Sequence, residues 1–450
     1  MNPSFKPRDY QIEDLARMIN SPRTGLGHDP GGGKTYIASM FTDYLHRVTG
    51  ESIVWTMPGG IMAKNRNDIL FSTNFAPEEV AIVQGTPDQR KAMYANDGIK
   101  VYLMSATGYA NEWGALPFRV RHSIHDEIQL AYTTFNTKRT QDWITACKNK
   151  GAVVPMTGTI IKGRLDSAYP TCHVIAPWAY SNDRQFLGFH AWYDENGKVI
   201  GWKNHDRLRE VLSRSMIFRS FASIYGKENK VIQVQRCIVG PKAWKLYKSL
   251  EEDALIELED SFIDAGNPAV GAMSARQVLA SPEKYEIDEK TGKDEALEIY
   301  ISDHLKTGER LAIFSSFTAE QLRVVRMIEK MGGKVRHING TVSYQDRQEI
   351  DRLFNANEIQ FVVASAQTAG IGLNWHFLNT MVFCTIDYTD DSFIQAFRRG
   401  IRGTREIPLR IIILKYEDTI EDRIMHIVDR KSRDHNLVNA GIEPLNLGQL

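Results

Sequence analysis

The chain has 450 residues, 42% of them hydrophobic, so it is longer than one core normally supports and holds apolar material for two. Lys plus Arg equals Asp plus Glu at 55 each, which excludes a grip on nucleic acid through overall charge and confines any footprint to local patches. Cys147, Cys172, Cys237 and Cys384 are widely spread, with no CxxC pair and no H-E-x-x-H helix, so neither a zinc site nor a disulfide framework is signalled.

In chain order, the first unit is the loop Gly31-Gly32-Gly33-Lys34-Thr35, running straight into an apolar helical pattern over 36–45. Strand patterns follow at 52–57, 100–106 and 152–156, the last continuing into Thr157-Gly158-Thr159. The run 118–124 contains Arg119, Arg121 and His122 and reads as a poor buried strand. Residues 166–300 are rich in charged and aromatic residues and poor in strand patterns; they are expected to hold the end of a first lobe, helical protrusions and a hinge. Strand patterns return at 310–317, 359–366, 381–386 and 409–415. Gly332-Gly333 closes the helical pattern 318–331, and Ser343 with Asp346 opens another helix as a capping box. This alternation predicts parallel sheets covered by helices in two serial lobes, 1–220 and 221–450, the second with a helical segment near 240–290.

Three stretches carry chemistry. In the loop at 31–35, glycines let backbone N–H groups approach phosphate oxygens, Lys34 can reach β and γ phosphates, and the Thr35 hydroxyl can hold Mg²⁺. An ordinary turn is the alternative, and His28 stands in the usual first-glycine slot. In Asp126-Glu127-Ile128-Gln129, Asp126 suits the Mg²⁺ water shell and Glu127 suits orienting and deprotonating water; a solvated acid pair is the alternative. In residues 395–403, Arg399 and Arg402 are three apart and share a helix face, fit for a γ phosphate, for nucleic-acid phosphates or for a solvated helix end. Together the three read best as one ATP site.

At this point the chain resembles superfamily 2 helicases and translocases, most closely the Swi/Snf-type DNA-dependent ATPases, over almost its whole length. Residues 6–11 resemble the adenine-recognition segment, which implies ATP contacts from Arg8, Tyr10 and Gln11. Gly31, Gly32, Gly33, Lys34 and Thr35 resemble motif I, Asp126 to Gln129 motif II, Thr157-Gly158-Thr159 motif III and residues 395–402 motif VI, with Gln395 and Gly370 also at the nucleotide. Residues 365–374, ending Gly370-Ile371-Gly372-Leu373-Asn374, are the most family-specific stretch. The resemblance implies catalytic roles for Lys34, Asp126, Glu127, Gln129, Arg399 and Arg402, with Mg²⁺ held by Thr35 and Asp126. It implies a DNA track over Pro58, Gly59, Ser105, Thr107, Ser315, Ser316, Thr368 and Asn374, residues suited to phosphate rather than base contact.

Departures from the family pattern are His28, Arg398 where an acid is usual, Ile401 for a histidine, and Gln129 where many relatives carry His. The cluster Lys203, His205, Arg207, Arg209, Arg214 and Arg219 reads as an extension of the track or as a solvated helix face, and Trp375 as core or as a base-stacking ring. The resemblance implies two tandem RecA-like lobes using ATP and Mg²⁺, in a monomeric DNA helicase or translocase. Compactness resembles phage and bacterial enzymes that remodel forked or branched DNA. The alternatives are a duplex translocase that displaces bound proteins and an ATP-gated DNA-binding module with little turnover. No apolar run reaches membrane-span length, and residues 1–10 lack a signal-peptide core, so a cytoplasmic location without membrane contact is expected.

Overall fold

The computed structural model describes residues 4–251, 270–369, 373–387, 390–401 and 405–438. The chain forms two compact units, the first built mainly from Met1–Ile224 and the second mainly from Tyr225–Asp434. Each centres on a parallel sheet with helices between its strands, the α/β architecture expected from the alternating pattern.

In the first unit the strands are β1 (Gly25–His28), β2 (Ser52–Thr56), β3 (Val80–Ile82), β4 (Val101–Met104), β5 (Val120–His125), β6 (Ala152–Pro155), β7 (Ala191–Tyr193), β8 (Val199–Trp202) and β9 (Met216–Arg219). The main sheet runs β3-β4-β2-β5-β6, every pair parallel. β1 pairs in parallel with β9 and meets β6 through a bridge from Leu26 to Met156. Residues of β2 and β4 are buried along their full length, as the continuous apolar runs of a two-sided parallel sheet require.

The poor strand at 118–124 is corrected: β5 is an interior strand of the sheet, between β2 and β6. Its two histidines have partners that periodicity does not register. His122 Nε2 lies 3.0 Å from Glu51, and His122 Nδ1 accepts from the Ala152 amide. His125 Nδ1 lies 2.8 Å from Thr56 Oγ1, its ring packs edge-on against Trp143, and burial pulls its pKa down to about 3, keeping it neutral.

The second unit holds β10 (Lys230–Cys237), β11 (Leu311–Phe314), β12 (Val335–Ile338), β13 (Phe361–Ala364), β14 (Thr380–Phe383) and β15 (Leu409–Tyr416), in the order β10-β15-β14-β11-β13-β12. The strand-poor reading of 166–300 is also corrected, since β7, β8, β9 and β10 all fall there. β10 escaped notice because it is an edge strand with Lys, Gln and Arg interleaved among its apolar residues. Ser343 caps the helix Tyr344–Asn355, its hydroxyl accepting from the Asp346 amide at 3.1 Å. The part of the 240–290 segment within 252–269 lies outside the described residues.

A cation sits inside the second unit. Lys293 is fully buried; its ammonium donates to the Cys384 carbonyl and to Glu421, each at 2.6 Å. Removing one partner of a buried ion pair strands the other charge, so Lys293→Ala is expected to destabilise the protein by about 3–5 kcal/mol. Urea denaturation followed by circular dichroism measures it, and an unchanged midpoint contradicts the assignment.

Candidate nucleotide site

Parallel register puts the C-terminal ends of β4, β2, β5, β6 and β1 on one edge of the first sheet, where α/β folds gather ligand-binding loops. The chemistry-bearing stretches leave the sheet at this edge. Asp126 N donates to Thr56 O, Ile128 N to Met156 O and Thr157 N to Leu26 O, tying the acid pair, the 157–159 turn and β1 together.

Between β1 and the helix α2 (Lys34–Thr49) the backbone must reverse within a few residues. Gly31 and Gly33 have φ of +86° and +70°, the left-handed region that favours glycine. A Cβ on Gly33 would sit 2.4 Å from Gln11 Nε2, and one on Gly32 would sit 2.9 Å from His28 Cβ, so neither position has room for a side chain. Gln11 and Tyr10 belong to the helix α1 (Asp9–Asn20), whose N-cap is Arg8. The Arg8 amide donates to Gln11 Oε1 at 2.9 Å, which turns the amide end of Gln11 toward the loop, and the Tyr10 hydroxyl donates to the Gly32 carbonyl at 3.2 Å. Arg8, Tyr10, Gln11 and the loop therefore form one assembly.

His28 explains its own departure from glycine. Its imidazole is fully buried and turned away from the loop's open side: Nδ1–H donates to the Gly32 carbonyl at 3.1 Å, and Nε2 faces Asp14 at 3.3 Å. Arg219 on β9 closes the cluster with contacts of 2.7 Å to Asp14 and 2.8 Å to Glu13. Burial opposes ionisation of Asp14, but hydrogen bonds and charge from His28 and Arg219 outweigh it and hold the carboxyl below its usual range. Lys34 Nζ donates to the His28 carbonyl at 2.7 Å, and Thr35 lies half-buried in the first turn of α2.

Across from the loop, Asp126 Oδ2 accepts from Asn65 Nδ2 at 3.1 Å and Oδ1 from the Glu127 amide at 3.0 Å. Burial, then the neighbouring charge of Glu127, raises the Asp126 pKa, while Lys34 and Asn65 act in the opposite direction. Glu127 has φ of +51°, a left-handed backbone that presents its side chain beside Asp126. Gln129 Nε2 donates to Glu127 Oε2, and Gln129 Oε1 lies 2.7 Å from the Thr157 hydroxyl. One amide thus connects the acid pair to the 157–159 turn, and both its ends are used.

Pro58 and Gly59 follow β2, and Ser105 and Thr107 follow β4, at the same edge; Ser105 caps the helix Ala106–Glu112 and Thr107 is exposed. In the second unit, Ser315 is 1% exposed with its hydroxyl given to Glu320, so its burial removes it from any surface track and leaves the half-buried Ser316 there. Trp375 is a core residue, fully buried with Nε1 donating to Asp351 at 2.8 Å, so the base-stacking alternative is withdrawn. Asn374 beside it is half-buried. Gln395 is half-buried on the helix Asp390–Phe397; Arg399 Nη1 donates to the Leu373 carbonyl at 3.4 Å. Arg398 is neutralised by Glu228 at 2.9 Å, which accounts for a base in place of the usual acid. Gly370, Arg402 and the side chain of Thr368 lie outside the described residues.

Sequence reasoning missed Asn65 and Asp14, and read Arg219 as part of a basic cluster when it is the partner of Asp14. Asp14 had a signal: Gln11, Asp14 and Met18 recur at helical spacing on the buried face of α1, and buried polar residues there mark a network. Asn65 had none, being 61 residues from its partner.

A helicase conserved C-terminal domain matches residues 292–404. The SWI/SNF chromatin-remodeling complex subunit snf22 of Schizosaccharomyces pombe is 22% identical over 96% of this chain. The nuclear protein STH1/NPS1 of Saccharomyces cerevisiae is 20% identical over 96% of it. The chain spans 28% of the length of the first and 35% of the second. Among solved structures, the helicase domain of Pyrococcus furiosus Hef superposes with a TM-score of 0.54 at 15% identity, covering 93% of this chain and 97% of that one. These matches overturn the expected cytoplasmic location, because the relatives are chromatin-remodelling subunits and a protein named as nuclear, and that assignment is withdrawn.

The Asp14 cluster has a pH signature. Because the folded carboxyl is held below its ordinary value, its contribution to stability is present above about pH 4 and is lost as pH falls below it. Asp14→Asn is expected to lower the melting temperature at pH 7 and to flatten the acid limb. Thermal melts between pH 3 and 7 test this; parallel wild-type and variant curves contradict it.

Proposed function

We propose that this chain, which has a superfamily 2 fold of the SWI/SNF type, is an ATP-hydrolysing motor that moves along duplex DNA and displaces proteins bound to it. The observation that carries the ATP part is the single edge at which the glycine loop, the Gln11 assembly and the linked Asp126, Glu127, Gln129 and Thr157 meet. The duplex part draws on relatives whose names specify chromatin remodelling, since chromatin is protein-bound duplex DNA.

In this reading the loop amides and Lys34 bind the phosphates, and Arg8, Tyr10 and Gln11 recognise the base. The Asp126 carboxylate and Thr35 hydroxyl are hard oxygen donors that fit Mg²⁺, which keeps most of its shell as water and phosphate oxygen. Bound there, Mg²⁺ would neutralise charge on the phosphates. Glu127 takes the proton of the attacking water, and Gln129, fixed at both ends, holds Glu127 in position. Arg399 and Arg402 answer transition-state charge on the γ phosphate, with Gln395 and Gly370 as further nucleotide contacts. Pro58, Gly59, Ser105, Thr107, Ser316, Thr368 and Asn374 form the phosphate track of a motor acting as a monomer. Forked or branched DNA remains the second reading, from the Gly-x-Gly-Leu-Asn signature at 370–374.

Phosphate release is to be measured with single-stranded, blunt duplex, forked and four-way DNA and with RNA. Duplex DNA is expected to stimulate turnover and RNA is not; no stimulation by any DNA overturns the proposal, and stimulation by forks alone favours the second reading.

Two variants test the chemistry. Lys34→Ala is expected to abolish hydrolysis while the chain still folds, with a lowered melting point because the His28 carbonyl loses its donor, and Glu127→Gln to bind ATP but not turn it over. Wild-type turnover by Glu127→Gln would reassign the water-activating role. Arg399→Ala is expected to cut turnover by roughly 10³-fold with little change in ATP affinity, as for a transition-state cation. Normal hydrolysis with lost DNA binding would instead make Arg399 a DNA contact.

A further inference from the structure

Among the described residues β7 and β8 pair only with each other, forming an antiparallel hairpin in the first unit that belongs to none of the parallel sheets. Its turn is tight: Asp194 N donates to Lys198 O, Gly197 takes φ of +78°, and Asp194 Oδ1 accepts from the amides of Asn196 and Lys198. Its base is fixed as well. Lys203 N donates to the carbonyl of buried His190, whose Nε2 lies 2.7 Å from the Tyr180 hydroxyl, and Asn204 donates to Phe189 O at 2.6 Å.

This rigid support exposes large rings. Trp192 is 54% exposed and Tyr193 46%, on a hairpin that could have kept them in the core. Trp192 lies across the strand from Gly201, where a Cβ would come 3.6 Å from the indole, and Lys203 Nζ sits 4.0 Å from the ring centroid. One turn further, Arg207 Cζ sits 4.0 Å from the Phe189 ring.

The structure divides the basic cluster of this region in two. Arg209 is paired with Asp206, Arg214 with Glu210, and Arg219 with Asp14 and Glu13. Lys203 and Arg207 make no ion pair among the described residues and lie on aromatic rings instead. The nearby acids are engaged elsewhere: Asp206 and Glu210 hold those arginines, and Asp194 holds the turn, which leaves Glu195 at the tip. A surface that offers flat π faces beside cations without carboxylate partners complements a strand of nucleic acid, rings for bases and cations for phosphates.

We propose that the Ala191–Trp202 hairpin, with Lys203 and Arg207, is a docking site for unpaired DNA bases, Trp192 stacking on a base and the two cations contacting the flanking phosphates. The site rests on the DNA-binding part of the function proposed above and not on its ATPase part. It gives the first unit a contact that a fully paired duplex, whose bases are stacked on one another, cannot occupy.

Fluorescence anisotropy without nucleotide, using a labelled oligothymidylate, a blunt duplex and a fork with single-stranded arms, tests it. Trp192→Ala is expected to weaken binding to the oligothymidylate and the fork about tenfold, as for loss of one stacked base, and to leave the blunt duplex within about twofold. Trp192→Phe retains a ring and is expected to restore most of the affinity. The double variant Lys203→Ala, Arg207→Ala is expected to lower the slope of log K against log salt on the single strand by about 1.4, at roughly 0.7 per phosphate contact. Melting curves establish that each variant folds. Unchanged affinity of Trp192→Ala for all three DNAs overturns the site, as does equal weakening on all three. Wild-type self-association in sedimentation that Trp192→Ala abolishes, with DNA binding intact, would make the face a protein contact and also overturn it. Because nucleotide is absent, a chain that hydrolyses no ATP yet loses single-strand binding on Trp192→Ala keeps this inference while the motor reading falls.

Discussion

The arrangement depends on how the backbone between β1 and α2 satisfies its own carbonyls. A tight loop whose carbonyls turn inward must supply each of them with a donor. The Gly32 carbonyl receives two, the Tyr10 hydroxyl and His28 Nδ1–H, and the His28 carbonyl receives the Lys34 ammonium. A glycine at position 28 would leave a void beside Asp14; the imidazole fills it and joins the loop to α1 and, through Asp14 and Arg219, to β9. What looked in the sequence like damage to a phosphate loop is a brace on its buried side.

The acid side is built on the same logic, with one amide as its connection. Gln129 can donate through one end and accept through the other, so it reports on Glu127 and Thr157 together, and any shift of the 157–159 turn moves the carboxylate. A histidine there could form the same pair of contacts only in one tautomer; the glutamine makes them at any pH near neutrality. Asn65 performs the matching task for Asp126 from the helix Met62–Ser72.

Much of this was legible in the linear chain, because phosphate loops and acid pairs need contiguous residues at fixed spacing. Most of the apolar strands of both main sheets were legible for the same reason, but β3, Val-Ala-Ile, was passed over because three residues are too short to carry a period. β1 was not: Gly-Leu-Gly-His has too few side chains for any period, and its pairing with β9 spans most of the unit. β5 was misread because its histidines are core residues with their own partners, and β10 because edge strands carry polar side chains. Ser315 shows the opposite error, a small hydroxyl residue assigned to a surface and found inside with Glu320. Contacts between residues far apart in sequence, such as Asn65 with Asp126, leave no local trace.

β10 is the first strand after the end of the first unit, and it is in register with β15 over eight consecutive positions, from Lys230 with Leu409 to Cys237 with Tyr416. A pull on the chain entering the second unit acts along β10, parallel to both strands. The ladder bonds between them run across that direction, so they are loaded together in shear and cannot be opened one after another from an end. Tension carried through the connecting segment is therefore shared over the whole strand. The edge of the second sheet is built to resist load applied along its own first strand.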